Sequence, residues 1–330
     1  MTDTTLDVVA IGNALVDVLS MEPDEFVVRH DLARGAMTMV DQERSEKIYA
    51  DMGPTTDTSG GSAANTIAGL ASFGSSAGFV GRVHADELGR SFQHDLRSLG
   101  VRFNATPTTE GPPTGRCLVV VAPNAERTLC TYLGCAAELD ASDLDAELLR
   151  EARVTYVEGY LWDQPPAMEA IREAFTIAGE ADRKVAMTLS DPFCVDRHRD
   201  DFQSLLDDGI DILFANEDEI RSLFEVDTFD EALQQVRGRC EVAALTRGPS
   251  GSVILTDGEV HVVDAHTVDD VVDTTGAGDL YAAGFLHGFV NGEPLNVCGE
   301  LGSLAAAEAI SHIGPRPMVS LAELAATSRR

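Results

Sequence analysis

The sequence predicts an α/β fold: a mostly parallel sheet covered on both faces, with a few antiparallel strands outside its alternation. Three observations lead there. Strand-length apolar runs alternate with helix-length periodic segments along most of the chain. The first run, residues 6–11, is almost continuously apolar, as a strand buried on both faces must be. Four short segments (15–20, 36–40, 116–122 and 127–133) break the alternation and look like antiparallel strands of their own.

Taken in order, residues 6–11 form a buried strand that runs into Gly12-Asn13. Ser59-Gly60-Gly61-Ser62 opens a small-residue run at 64–73, read as a helix because Ser and Gly favour helix starts. Residues 77–80 are a strand and 86–99 an amphipathic helix. Segments 116–122 and 127–133 pair through the turn Asn124-Ala125-Glu126. A strand at 154–159, a helix at 167–178 and a strand at 184–189 follow. The strand 210–214 leads into Asn216-Glu217-Asp218-Glu219. A strand at 242–245 precedes a hairpin begun at 252–256, with another apolar strand at 260–263. Helices at 276–290 and 295–310 complete the pattern, and 325–330 is expected to fray. Without repeats, low-complexity tracts or linkers, the chain reads as one domain over 1–330.

Composition narrows the function classes. Hydrophobic residues make up 44%, enough for a large core, and no run of 18 apolar residues is present, so no membrane span is expected. The acidic start, Met1 to Asp7, has no basic region before an apolar stretch, so no signal peptide is expected. Six cysteines without a C-x-x-C pair read as reduced thiols of a cytoplasmic protein. None of the eight histidines has metal-ligand spacing. Net charge is −31 with only two lysines, Lys47 and Lys184, which excludes the basic footprint of a nucleic-acid binder. Such acidity also suggests adaptation to high salt. No feature of the sequence specifies an oligomer.

The chemistry concentrates at Val272-Asp273-Thr274-Thr275-Gly276-Ala277-Gly278-Asp279. A glycine turn at a helix start offers bare N–H groups where the helix dipole favours an anion. Gly276 and Gly278 let the backbone approach a phosphate with no Cβ in the way. Asp279 is out of place beside an anion unless it takes a proton from a nucleophile attacking that phosphate. A glycine-rich helix start with an N-terminal Asp is the plainer reading of the same residues. The chain has no G-x-x-x-x-G-K-[ST] loop, and the turn fits an enzyme that works without one.

Two glycine motifs in this order, Gly60-Gly61-Ser62-Ala63-Ala64-Asn65 and Asp273-Thr-Thr-Gly-Ala-Gly-Asp279, resemble the two signatures of the phosphofructokinase B, or ribokinase-like, kinases. Further matches run along the chain: Gly12-Asn13-Ala-Leu-Val-Asp17, Gly78 to Val83, Asp86-Glu-Leu-Gly89, Asn216-x-x-Glu219, and Thr246-Arg-Gly248 with Gly251. The resemblance implies a ribokinase-like three-layer sandwich with a small β-sheet lid, its strands within about 13–41 and 101–133. It also implies phosphate transfer from ATP, with Mg²⁺, to a small-molecule sugar or nucleoside. Within the family, Leu189-Ser-Asp-Pro-Phe193 and Gly12-Asn13-x-x-x-Asp17 are similar to the adenosine kinase branch, making adenosine the expected acceptor. A sugar kinase of the ribokinase or fructokinase type, and a kinase of inosine or guanosine, stand as alternatives. So does a non-catalytic binder, against which the intact Asp279 and N-x-x-E motif count.

Roles follow from chemistry and resemblance together. Asp279 is the expected general base, with N–H groups around Ala277 and Gly278 holding the γ-phosphate. Asn216 and Glu219 would order Mg²⁺-bound waters. Asp17 suits two vicinal hydroxyls, with Asn13, Gly60, Gly61 and Asn65 around it. Apolar candidates for a purine pocket are Met37, Met39, Leu129, Leu161, Trp162 and Phe193, although core packing is open for each. Thr246, Gly248, Gly251 and Thr275 fall on the cofactor motifs. The resemblance adds a K⁺ site at Asp273 and Thr275. Arg127 could reach from the lid toward phosphate, or simply be solvated.

Overall fold

The computed structural model describes residues 5–123 and 127–328. The expected hairpin turn at 124–126 lies outside them. In chain order the described strands are β1 (Leu6–Ile11), β2 (Leu15–Met21), β3 (Met37–Met39), β4 (Thr56–Gly60), β5 (Ala77–Val80), β6 (Thr114–Val121), β7 (Arg127–Gly134), β8 (Ala152–Glu158), β9 (Lys184–Thr188), β10 (Ile212–Asn216), β11 (Val242–Thr246), β12 (Ser252–Leu255) and β13 (Val260–Val263). The helices are α1 (Asp24–Arg29), α2 (Gln42–Asp51), α3 (Ser62–Ser72), α4 (Glu87–Ser98), α5 (Ala146–Glu151), α6 (Pro165–Glu180), α7 (Pro192–Asp208), α8 (Glu217–Phe224), α9 (Phe229–Val236), α10 (Ala277–Val290), α11 (Leu295–Ile310) and α12 (Leu321–Ser328).

The large sheet has the order β13-β12-β11-β10-β9-β8-β1-β5. From β5 to β11 every pairing is parallel, while β12 at the far side pairs antiparallel with both β11 and the edge strand β13. Period-two alternation divides β1 between two cores. Val8 and Ala10 pack with α3, α10 and α11, while Val9 and Ile11 pack with α6, α7 and α8. A strand buried on both faces needs the uninterrupted apolar run that marked it in the sequence.

The second sheet, β3-β7-β6-β2-β4, forms the lid. It is mixed rather than antiparallel: β2 pairs β6, and β3 pairs β7, in parallel. β2 and β6 are joined through β5 and α4 of the main body, so no tight turn forces them antiparallel. One lid face (Val16, Val18, Leu118, Val120) joins the main core with α1 and α2 residues Phe26, Val27 and Ile48. The opposite face carries Asp17 and Cys117, partners across the β2–β6 ladder, and looks into a cleft. β4 escaped the sequence reading because Thr56-Asp-Thr-Ser-Gly60 is a polar edge strand without apolar alternation. The expected frayed tail is corrected for 325–328, which continue α12, anchored by the buried Leu321.

Candidate active site

The glycine turn ends in the N-terminus of α10, and its two glycines are required for different reasons. Gly276 has φ +79°, and a Cβ there would lie 2.6 Å from the Pro315 Cβ, so the protein's own packing demands glycine. Gly278 is exposed to the cleft, and a Cβ there would meet nothing within 4 Å. Its bareness serves whatever enters from outside. The Ala277 N–H is spent on the Thr274 carbonyl at 3.2 Å, so this expected phosphate donor is engaged within the turn. The N–H groups of Gly278 and Asp279 have no acceptor among the described residues. These are the free donors at the positive end of the helix.

Asp279 follows directly. Ser62 Oγ donates to its Oδ1 at 2.6 Å, and Asn65 Nδ2 donates to its Oδ2 at 3.0 Å. Both donors lie on the first turn of α3, so the two glycine motifs meet around one carboxylate. Burial pushes the Asp279 carboxyl above the usual range, opposed by these two hydrogen bonds. α3 starts where it does because Gly61, at φ +94°, presses against the Asn13 carbonyl, 2.3 Å from where a Cβ would be.

Glu158, at the end of β8, locks that geometry and was not singled out from the sequence. Its Oε1 accepts from the Asn13 N–H (2.8 Å) and Asn13 Nδ2 (2.6 Å), and its Oε2 from the Ala63 N–H (2.8 Å). It is 1% exposed, and burial pushes its carboxyl up to about 7 against these bonds. No sequence signal connects a strand-end Glu to two loops 95 and 145 residues away.

Asp17 occupies the facing wall. No described residue donates a hydrogen bond to its carboxylate. Burial raises it to about 7, against the cations Arg316 and Arg127 and with Asp279 adding to the rise. Gly60 does not line the cleft: a Cβ there would lie 2.3 Å from Asp17 Oδ1, so its part is to leave room for that carboxylate.

Asn216 and Glu219 form a capping box at the start of α8: Asn216 Oδ1 accepts from the Glu219 N–H, while Glu219 accepts from the Asn216 N–H and Nδ2. Glu219 is nevertheless buried, lines the cleft, and is pushed up to about 7 by burial. Thr246 is the ladder partner of Asn216 and lines the same inner recess with Gly278 and Asp279. The loop after it turns through Gly248 (φ +52°) and Gly251 (φ +81°), where a Cβ at Gly251 would strike the Val263 carbonyl at 2.0 Å. That loop folds against β13, outside the recess.

Asp273 is fully engaged. Its Oδ1 accepts from the Thr275 N–H (3.1 Å) and Oγ1 (2.8 Å), and its Oδ2 from the Gly314 N–H (3.0 Å) and the Arg127 guanidinium (2.8 Å). Arg127 is therefore not a solvated lid residue. It pairs with Asp273, both side chains under 10% exposed, and ties lid strand β7 to the glycine turn.

Asp17, Glu158, Glu219 and Asp279 line one cavity of about 1000 Å³, the upper end of the ordinary ligand-pocket range. Asp17 and Asn13 stand on one side, Asp279 and Gly278 on another, with Met37, Met39, Leu129 and Phe193 as apolar wall. Leu161 and Trp162 are corrected: both are buried in the second core, packed with Ile171 and Phe202 behind the cleft. The aromatic beside them that does reach the cavity is Tyr160. Ser190, also on the wall, holds φ +74°, a strained conformation concentrated at functional sites. No group of three or more potential metal ligands is present among the described residues.

Residues 36–321 match the pfkB family of carbohydrate kinases. The chain belongs to this family. A probable sugar kinase from Rhizobium etli shares 46% identity with it over 99% of both chains, with a TM-score of 0.93. The structure of an adenosine kinase from Sinorhizobium meliloti is equally similar, at 46% identity, TM-score 0.92, and 98% and 99% of the two chains. Among the curated relatives that the chain matches, the adenosine kinase of Schizosaccharomyces pombe is 30% identical over 72% of this chain and 74% of its own. A 5-dehydro-2-deoxygluconokinase of Listeria monocytogenes is 28% identical over 76% and 80%. The ribokinase-like fold and the class of reaction, phosphate transfer to an alcohol, stand with the family. Use of ATP with a divalent metal is general to such kinases, and acceptors among the relatives are small molecules.

Proposed function

We propose that the protein phosphorylates the 5′-hydroxyl of adenosine with ATP, giving AMP and ADP. One observation carries this reading: Asp279, held by Ser62 and Asn65, faces the same cavity as an unsatisfied Asp17 and an apolar wall. Asp17 accepts the vicinal ribose hydroxyls, and Met37, Met39, Leu129 and Phe193 meet the base. Asp279 takes the 5′-hydroxyl proton as that oxygen attacks the γ-phosphorus and the bond to the β–γ bridging oxygen breaks. The N–H groups of Gly278 and Asp279 receive the transferring phosphoryl group.

Mg²⁺, when bound with the nucleotide, neutralises phosphate charge in a cleft lined by acids. Glu219 fits that task, since a buried carboxylate raised by burial regains stability beside a cation. Asn216 holds it in place, and Thr246 and Thr275 line the approach. Potassium does not fit the Asp273 side chain: four donors fill its lone pairs, and one of them is already a cation. The setting we propose is cytoplasmic, supported by six free cysteines.

The relatives that act on a sugar acid support a second reading, a sugar or sugar-acid kinase. A sugar acid would need a free cation on the wall. The cavity's Arg197 is instead bound to Asp163 through two hydrogen bonds of 2.9 and 2.7 Å, which favours the neutral nucleoside. Turnover with ATP·Mg²⁺ across adenosine, inosine, guanosine, cytidine, ribose, fructose and 5-dehydro-2-deoxygluconate decides. Preference for adenosine is expected. A kcat/KM tenfold higher for any sugar would replace this reading with the second.

A further inference from the structure

Arg316 lies in the segment between α11 and α12, outside every motif considered above. Its Nε donates to Asn65 Oδ1 at 3.5 Å, and Asn65 Nδ2 donates onward to Asp279 Oδ2 at 3.0 Å. An amide has one donor end and one acceptor end. Reversed, the Asn65 amide would set its oxygen against the carboxylate and its NH₂ against the guanidinium. The cation and the carboxylate therefore select the same orientation. Arg316 Nη2 is buried without a partner, so that end of the guanidinium is desolvated and its charge is compensated at longer range. Asp17, then Asp95, supply that compensation. Asp95 is itself committed to Ser59, accepting from its N–H and hydroxyl.

We propose that Arg316 is a positioning residue of the acceptor site: it fixes the Asn65 amide against Asp279 and supplies a counter-charge to Asp17, the carboxylate read as accepting from the acceptor's hydroxyls. This rests on the reading of Asp17 and Asp279 given above. The groups facing Asp17 are Arg316 from the C-terminal segment, Arg127 from β7, Asp279 from α10 and the Cys117 thiol from β6. Arg316 is the larger of the two cationic influences on Asp17. Burial lowers Arg316 itself only to about 10, so it stays charged across the working range.

The test begins without substrate. Carboxyl ¹³C NMR of aspartate-labelled protein is titrated for wild type, Arg316→Met and Arg316→Lys, with Asp17→Asn assigning the Asp17 signal. The Asp17 midpoint should rise by about 1 unit or more in Arg316→Met, an opposite charge nearby being worth about 1–3 units, and stay near wild type in Arg316→Lys. Kinetics then follow on the best acceptor of the panel. Arg316→Met should lose kcat/KM at pH 7, chiefly through KM, and recover toward pH 9. A merely structural Arg316 would give a loss that pH does not restore. Should the Met variant not fold, Arg316→Gln takes its place. An unmoved Asp17 midpoint in the charge-removing variant overturns the proposal whatever the panel shows. Failure of adenosine in the panel alters only the acceptor's identity.

Discussion

Two aspartates face one cavity and are treated in opposite ways by the protein around them. Asp279 is held by two side-chain donors on a helix start. Asp17 receives no donor from the described residues, and long-range charge from Arg316 and Arg127 offsets its burial. A carboxylate whose lone pairs are fixed by protein is oriented for one task. A carboxylate left unsatisfied is completed by a ligand, because an unpaired buried acceptor is costly. The base belongs to the first kind and the hydroxyl acceptor to the second.

The largest effect expected from breaking this contrast is at Asp279. Asp279→Asn keeps the shape and still meets Ser62, but cannot take a proton. A general base contributes about 10²–10⁴-fold, so kcat should fall by that order while nucleotide binding, followed by calorimetry, persists. Near wild-type turnover would end the assignment.

Removing Asp17 should act on binding instead. Hydrogen bonds to a charged group are worth roughly 1.5–3 kcal/mol. Asp17→Ala should then raise KM for adenosine about tenfold to a hundredfold, each 1.4 kcal/mol being about tenfold. 2′-Deoxyadenosine lacks one of the hydroxyls and should lose less. Equal losses for the two nucleosides would show that Asp17 does not read the 2′ position.

The same contrast explains what could be read in advance. The base lies in a contiguous turn whose glycines announce it, and the parallel sheet was legible because buried strands are continuously apolar. Asp17 was reached through the resemblance, since one acid in a short strand carries no signal of its own. Glu158 and Arg316 act across 95 to 251 residues, and nothing local distinguishes them from surface charges. Leu161 and Trp162 stand in the sequence as candidates for either place, because apolar residues beside a motif look the same whether they face a ligand or the core. α7 was missed because the charged run Asp196 to Asp201 obscures its apolar stripe, and it bends at His198.

Both kinds of acid should separate stability from activity as pH changes. Burial raises Asp17, Glu158 and Glu219 to about 7, well above the ordinary carboxyl range near 4. Between those values the folded state binds more protons than the unfolded chain, so stability falls as pH rises from about 4 to 7 and then levels off. Activity runs the other way, because Asp279 works only when ionised and its carboxyl is also raised. In low-salt buffer without nucleotide, Tm should be higher at pH 5.5 than at pH 7.5, whereas kcat/KM should be higher at pH 7.5. A Tm that climbs over this interval would mean that these acids are ionised and better satisfied than their burial implies.

The smallest expected effect concerns the field that both aspartates share. A net charge of −31 with two lysines repels itself, and salt screens it, the Debye length shrinking from about 10 Å at 0.1 M to about 3 Å at 1 M. Tm should rise over that range, equally in NaCl and KCl, because screening depends on valence and concentration alone. A flat Tm would reject self-repulsion as a significant term. Activity provides the local half of the test. Asp273 already holds Arg127 and three other donors, so the resemblance's K⁺ site has no carboxylate to use there. KCl and NaCl at matched ionic strength should therefore support the same kcat. Specific stimulation by KCl over NaCl would overturn that expectation, and Arg127→Met would then tell whether the ion competes with Arg127 for Asp273 or is held by other oxygens: competition predicts that the variant needs less KCl for the same kcat.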